Sequence, residues 1–317
     1  LLSKAGFAVT FTLRDRPRVP AIMLGEQSLA LIRDVFENPA LFATSPPIAR
    51  RVVAWGDGAA ANDVPHSAVV VSEKQLLETI GCPAEDSADR APDFTVYTTP
   101  PLPAGVVEKS FGSRRAAAAR VSLKKQASES TCWIESLPEG WLFLIPNATD
   151  ATWLLAIGAP LEAMLAASRL IAPIIDMTGS RSAEFSSCPR LLTPACGDNW
   201  LACGSVAMGF DPICGDGTAQ AIREAILASA LIRGLFNNMD KSALLSHYEM
   251  MLTASLRRHL LLCAEFYRTG GTGPWWQGEL QSLIDGHTWC TARLAQAPEP
   301  QFQLNGFELL RRESVAR

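Results

Sequence analysis

The sequence predicts an α/β chain in three parts: a strand-and-helix unit, a mostly antiparallel β-sheet set into it, and a helical C-terminal region. Three observations carry this. Residues 204–218 read as a strand end, an Asp-Pro turn, a glycine-rich loop and a helix start, and the apolar run 219–232 continues as a helix buried on most sides. Between residues 94 and 157, β-branched and aromatic runs alternate with turns. Beyond residue 240, Tyr248, Leu252, Leu256, His259 and Cys263 recur at helical spacing.

In chain order, residues 1–15 predict a helix end, a cap at Gly6 and a β-strand. Residues 62–94 read as turn-rich, with Gly81-Cys82-Pro83 near the middle. Strands are expected over 94–98, 131–135, 140–146 and 152–157, with a turn at Pro138-Glu139-Gly140. An amphipathic helix is expected over 161–177, then a return as strands over 182–204, and residues 240–317 read as mainly helical. The implied division is 1–92 with 195–236 as one domain, 93–194 as the inserted sheet domain, and 237–317 as the C-terminal region.

The loop carries the most chemistry. Gly215 and Gly217 have no Cβ, so backbone amides there approach a flat or anionic ligand closely, with the positive end of a helix dipole behind them. Thr218 is the expected helix cap. A glycine-rich strand-to-helix turn also serves simple helix packing, so the loop alone leaves both uses open.

Composition narrows the field. The 317 residues suggest about two domains, and 48% hydrophobic content is enough for a full core. A net charge of −4, with basic residues only in pairs such as Arg50-Arg51, Arg114-Arg115 and Lys124-Lys125, argues against nucleic acid as a partner; the pairs read as solvated surface. Eight cysteines include no C-x-x-C pair and the four histidines are scattered, so zinc is not signalled and buried thiols are expected. Cys203 and Cys214 flank the loop, where a thiol is either a small hydrophobe or reactive. The most apolar stretch, 154–175, is interrupted by Pro160, Glu162, Arg169 and Pro173, so no membrane span is expected. With no visible signal peptide, a cytoplasmic location is the expectation.

Residues 204–218 resemble the second flavin-contacting motif of FAD-dependent monooxygenases, a group related to flavin-dependent tryptophan halogenases and to flavoproteins that mature peptide-derived quinone cofactors. Gly215-Asp216-Gly217-Thr218 followed by Ala221-Ile222-Arg223-Glu224-Ala225-Ile226-Leu227 is most similar to the last group. Further similarities follow in the family's order. Residues 1–15 resemble its first helix and second strand, and Gly25-Glu26-Gln27-Ser28-Leu29 its Gly-Glu-x-Leu turn. Phe111-Gly112-Ser113-Arg114 resembles an Ala-Thr-Gly-Arg turn, and residues 140–146 a Gly-Trp-x-Trp-x-Ile-Pro strand with Phe143 at the second Trp. The resemblance implies a Rossmann-like FAD-binding domain and an FAD cofactor, with Arg14, Glu26, Gly204, Ser205, Asp211, Pro212, Gly215, Asp216, Gly217 and Thr218 as the cofactor-binding positions. A flavin monooxygenase needs few protein acids or bases, so the resemblance leaves the catalytic residues unassigned, and it implies no metal.

The departures from the family are specific. Its first strand and Gly-x-Gly-x-x-Gly loop would lie before Leu1. Leu13 stands where an acid usually holds the ribose, with Arg14 and Asp15 following; losing such a charged partner costs about 1.5–3 kcal/mol. Ser205 replaces an Asp that usually binds the ribityl chain. Residues 49–56 lack the lysine that handles hypohalous acid in halogenases, which points to hydroxylation or another flavin oxidation.

For the substrate, Trp141 and Phe143 share one strand face and either stack an aromatic group or fill the core. Trp275 and Trp276, expected in a loop, either cap a cavity or anchor helices. His259 and His287 are candidate bases or structural histidines. The resulting expectation is an FAD-dependent monooxygenase-like oxidoreductase acting on an aromatic small molecule or on Trp in a partner polypeptide. The alternative is a non-catalytic or weakly FAD-binding relative that serves as a binding or maturation scaffold.

Overall fold

A computed structural model describes residues 1–12, 18–81, 91–147 and 151–312, apart from the side chains of 179–182. The elements in order are β1 (Ile22–Gly25), α1 (Glu26–Val35), β2 (Pro47–Ala54), β3 (Asn62–Val71), α2 (Glu73–Ile80), β4 (Thr95–Tyr97), β5 (Val107–Ser110), β6 (Arg115–Leu123), β7 (Thr131–Leu137), β8 (Gly140–Ile145) and β9 (Thr152–Gly158). They continue with α3 (Leu161–Ala167), β10 (Ile175–Ser186), β11 (Arg190–Thr193), β12 (Cys196–Gly197), β13 (Trp200–Ala202), β14 (Met208–Gly209), α4 (Gly217–Phe236), α5 (Lys241–Gly270), α6 (Pro274–Ala295), β15 (Phe302–Asn305) and β16 (Glu308–Arg311).

Eight strands form one mixed sheet in the order β1-β3-β2-β7-β8-β9-β6-β10, antiparallel throughout except for the β2–β7 pair. It draws strands from both sides of the expected division at residue 92. Its centre is β8, whose six residues are all buried. Strand alternation sends Trp141, Phe143 and Ile145 into the core shared with α4, α5 and α6, and Leu142 and Leu144 into a second core under α3. Two faces covered by helices explain why this strand reads as continuously apolar. A smaller sheet, β12-β13-β4, pairs β13 parallel to β4 and delivers the chain to Gly204.

Several expectations need correction. No strand forms over residues 7–12: among the described residues no neighbouring strand pairs with them, and a strand persists only with a ladder partner. The expected strand end, Leu13 to Asp15, lies outside the described residues. Residues 62–80 are not turn-rich but a long strand and a helix. Ser72 and Gln75 form a reciprocal capping box that starts α2, and Gly81 closes it in the left-handed conformation at φ 69°. Pro65, inside β3, sits beside the register shift between β2 and β3.

The helix expected over 161–177 stops at Ala167. The buried Glu135 carboxylate accepts backbone N–H groups from Arg169, Leu170 and Ile171 at 2.7–3.1 Å, which turns the chain out of the helix into β10. The C-terminal region ends in a hairpin rather than a helix, turned at Gly306-Phe307 with Gly306 at φ 58°. Among the described residues no helix is long and apolar enough to cross a membrane.

Candidate functional site

The glycine-rich loop is built in three steps. Gly204, at φ 72°, starts a short 3-10 turn, and its N–H donates to the buried Glu224 carboxylate of α4 at 2.9 Å. Asp211 then caps a second 3-10 turn over Pro212–Cys214, accepting the Ile213 N–H at 2.9 Å. Gly215 takes the left-handed conformation at φ 63°, and α4 begins at Gly217. Thr218 is therefore inside the first turn and is not the cap. The capping position belongs to Asp216, whose carboxylate pairs with Arg223 at 2.9 Å and makes no cap bond. No side-chain cap closes this helix N-terminus, so its first-turn amides point outward with the dipole behind them. A Cβ added at Gly215 or Gly217 would meet no protein atom within 4 Å. The loop thus presents an open face to a flat or anionic group.

Behind that face lies a packed ionic cluster. Arg114 and Asp211 have fully buried side chains, and Arg114 Nε stands 3.0 Å from Asp211 Oδ2. Nε is not aligned for a hydrogen bond, so this contact is an ion pair. Tyr267 donates its hydroxyl to the same carboxylate at 2.8 Å, and the Arg114 guanidinium lies 4.9 Å from the centre of the Tyr267 ring. Arg114 Nη1 donates to Glu279 at 2.6 Å and Nη2 to the Phe111 carbonyl at 3.0 Å. Burial pushes the Asp211 carboxyl toward its neutral form. Burial also opposes the Arg114 charge, but Tyr267, Asp211 and Glu279 offset it and hold the guanidinium protonated. The two tendencies conflict for a pair in contact; the donors around Asp211 and the adjacent cation favour the ionised pair. This cluster pins the Asp-Pro turn from inside the molecule.

Next to it, Asp211 N–H donates to His259 Nε2 at 2.8 Å, and the His259 ring stacks on Phe210 at 3.9 Å. Burial pushes the His259 pKa down to about 3, so the ring is a neutral acceptor, the structural one of its two alternatives. His287, half-buried on α6, has no part in this cluster. Burial likewise raises the Cys203 thiol to about 12, which makes it a small hydrophobe. Burial raises Glu224 to about 8, with Gln220 and the Gly204 amide pulling the other way.

The aromatic candidates converge, but as core. Trp141 (1% exposed) donates its Nε1 to the Tyr267 hydroxyl at 3.3 Å, and Phe143 is buried beside it on the strand. Trp275 and Trp276 lie in the first turn of α6, not in a loop, because Gly273 and Pro274 start that helix. Trp276 is buried and donates to the Leu137 carbonyl at 2.8 Å. Trp55 packs edge-on against both Trp141 and Trp276. Of the four expected substrate contacts, Trp275 alone is partly open; Trp141, Phe143 and Trp276 are enclosed by protein.

Of the remaining expected positions, Glu26 is exposed in the first turn of α1. Ser205 is exposed, and its carbonyl accepts from Arg190 at 2.8 Å. Pro212 opens the 3-10 turn, and Arg14 lies outside the described residues. Arg114, read as solvated surface, is 1% exposed. Its resemblance to the family's Ala-Thr-Gly-Arg turn was the available signal. Glu224 lay within the stretch that resembles the family; Trp55, Tyr267 and Glu279 carried no such signal.

No family profile and no curated protein sequence matches this chain. Solved structures do. It is similar to the peptidyl tryptophan dihydroxylase QhpG, essential for tryptophylquinone cofactor biogenesis, with TM-score 0.72 and 18% identity, covering 88% of this chain and 74% of that one. The flavin-dependent halogenase CmlS matches with TM-score 0.65 and 16% identity, over 88% of this chain and 64% of that one. HpxO of Klebsiella pneumoniae, complexed with FAD and uric acid, matches with TM-score 0.59 and 13% identity, over 94% and 93%. The chain therefore shares the α/β fold of these flavoenzyme structures, the fold that the resemblance implied.

Proposed function

We propose that this chain is an FAD-dependent oxidoreductase of the monooxygenase type that oxidises an aromatic group, with a tryptophan side chain of a partner polypeptide as the favoured substrate. The observation that carries the reading is the uncapped, open start of α4 at Gly215–Thr218, backed by the buried Arg114–Asp211–Tyr267 cluster. The face suits a flat ring with a polar edge: among the described residues, none beyond the chain neighbours comes within 4 Å of a Cβ built on either glycine. Gly215, Gly217 and Thr218 would hold the ring edge, and Gly204, Ser205, Pro212 and Asp216 lie on the same loop. Glu26 and Arg14 are proposed for the remainder of the cofactor. Asp211 acts indirectly, as the inner anchor of the turn.

Bound FAD supplies two-electron chemistry and the activation of dioxygen. The chain's own part is orientation and charge. The α4 dipole favours negative charge at its N-terminus, so Gly217 and Thr218 would hold an electron-rich ring edge there. The Arg114 ion pair keeps the turn rigid, so the amides need not reorganise during reaction. Trp275, half-buried beside Tyr267 and Trp276, is the proposed aromatic contact for substrate. The net reaction would insert one oxygen atom of O₂ into an aromatic C–H and release the other as water, consuming two electrons and two protons. The dihydroxylation of peptidyl tryptophan by the structurally similar QhpG supports the substrate class.

Ser205 supports the second reading, a weakly binding scaffold. It is exposed and neutral, so it offers a cofactor one uncharged hydrogen bond where the family offers a carboxylate. One experiment separates the two. The full chain is incubated aerobically with chemically reduced FAD and a tryptophan-containing peptide, and the peptide is then weighed. Addition of oxygen to the tryptophan, absent with Gly217→Leu, supports the enzyme. Flavin binding without any oxygen transfer supports the scaffold.

A further inference from the structure

The loop carries a second reactive element that the flavin reading does not use. Cys214 ends the 3-10 turn one residue before Gly215 and is partly open, whereas Cys263, on α5, is buried. Their sulfurs are 3.5 Å apart, in van der Waals contact across two separate elements. We propose that Cys214 and Cys263 are a redox pair that a hydroperoxide converts to a disulfide, tying the Pro212–Cys214 turn to α5.

Soft-metal binding is the competing use of this cluster, since Cys214, Cys263 and His259 bring three ligand atoms within 4.8 Å of one another. Two contacts argue against it. The His259 Nε2 lone pair, 3.3 Å from Cys263 Sγ, already accepts the Asp211 N–H. The ring is also held flat on Phe210, and Nδ1 lies farther from the sulfur, at 3.9 Å. A metal would have to break the bond that seats the Asp-Pro turn; a disulfide leaves it in place.

The chemistry balances with hydrogen peroxide as the oxidant. The partly open Cys214 sulfur attacks one peroxide oxygen, the O–O bond breaks, and a sulfenic acid and water form. Cys263 sulfur then attacks Cys214 sulfur: the S–S bond forms, the S–O bond breaks, and the departing hydroxide takes the Cys263 proton as a second water. The two thiols lose two electrons and the peroxide gains them. Burial pushes the Cys263 thiol up, consistent with Cys214 being the first sulfur oxidised. Because Cys214 lies between the cap residue Asp211 and the start of α4, the bond would fix the turn that presents the open amides.

The test uses the full chain without flavin, so its outcome is independent of the proposed function. The protein is exposed to hydrogen peroxide, denatured, alkylated and mapped by mass spectrometry. The expected result is a fall in alkylatable thiols from eight to six, a single cross-linked peptide pair holding Cys214 and Cys263, and full reversal by dithiothreitol. Cys263→Ser should stop at a Cys214 sulfenic acid trapped by dimedone. Cys214→Ser, altering the partly open member, should form no such cross-link. The proposal is overturned if Cys214 stays alkylatable, if it proceeds to the sulfinic acid while Cys263 remains a thiol, or if the two thiols become reactive only after a chelator removes a stoichiometric metal.

Discussion

Glycines on the two sides of the Asp-Pro turn do opposite jobs. On the outer side, Gly215 and Gly217 face open space. On the inner side, a Cβ at Gly112 would press on the Glu279 carboxylate and the Arg114 guanidinium, and a Cβ at Gly270 or Gly271 would run into the Trp276 ring. The inner glycines are small because the protein fills the space beside them. The outer ones have no such neighbour: Gly215 is glycine for its left-handed φ of 63°, and Gly217, at the start of α4, leaves a face open to a group other than this chain's own side chains. Rigidity behind and access in front are the two halves of a binding face.

The largest effect should come from breaking the inner half. Arg114→Leu leaves the Asp211 carboxylate buried without its cation and should cost about 3–5 kcal/mol in denaturant unfolding. Adding Asp211→Asn should restore part of that loss; no restoration would mean the ion pair is not the main contribution of Arg114. Next is Gly112→Ala, which combines a φ of 109° with a collision against Glu279. It should cost about 2–3 kcal/mol by the same measurement.

A smaller effect sits at the hinge between the halves, where Glu224 holds the Gly204 amide. Its pKa, raised to about 8 from an ordinary 4.5, means the folded chain keeps a proton that the unfolded chain has lost, so stability falls as pH rises from about 4.5 to about 8. His259, lowered to about 3 from 6.5, works the other way: the unfolded chain takes up a proton first, so stability falls as pH drops from about 6.5 to about 3. Together they favour a stability maximum between these flanks. Glu224→Gln should flatten the alkaline flank and gain about 1–2 kcal/mol at pH 8, while leaving the acid flank unchanged.

The same contrast explains what the sequence disclosed. Elements made by local pattern were legible: the strands around residues 131–145 and 152–158, the helical spacing from Tyr248 to Cys263, and the 204–218 turn sequence with its glycines. The Ser72–Gln75 capping box and the Gly306 turn are local signals too, but Gly81-Cys82-Pro83 and the helical spacing after residue 240 outweigh them in the sequence pattern. The inner cluster was not legible. Arg114 meets Glu279 across 165 positions, and Asp211 meets Tyr267 across 56. A pair of adjacent arginines has the same appearance whether one is buried or both are solvated, and only the tertiary fold distinguishes them. Trp141, Phe143 and Trp276 take the core-filling one of their two alternatives for a related reason. Aromatic residues on a central strand or a packed helix fill the core unless the fold leaves a gap beside them.

The outer half has the smallest expected effect on folding and the most direct bearing on function. Gly217→Leu adds a side chain whose Cβ meets no described protein atom within 4 Å beyond its chain neighbours, so unfolding free energy should change by no more than about 0.5 kcal/mol. Titration of FAD into the full chain and into this variant, followed by flavin fluorescence, tests the central claim. The account predicts saturable binding to the unmodified protein and at least about a hundredfold weaker binding, roughly 2.8 kcal/mol, to the equally stable variant. Equal affinity for both would contradict it, because the open amides of α4 would then not be where the cofactor sits.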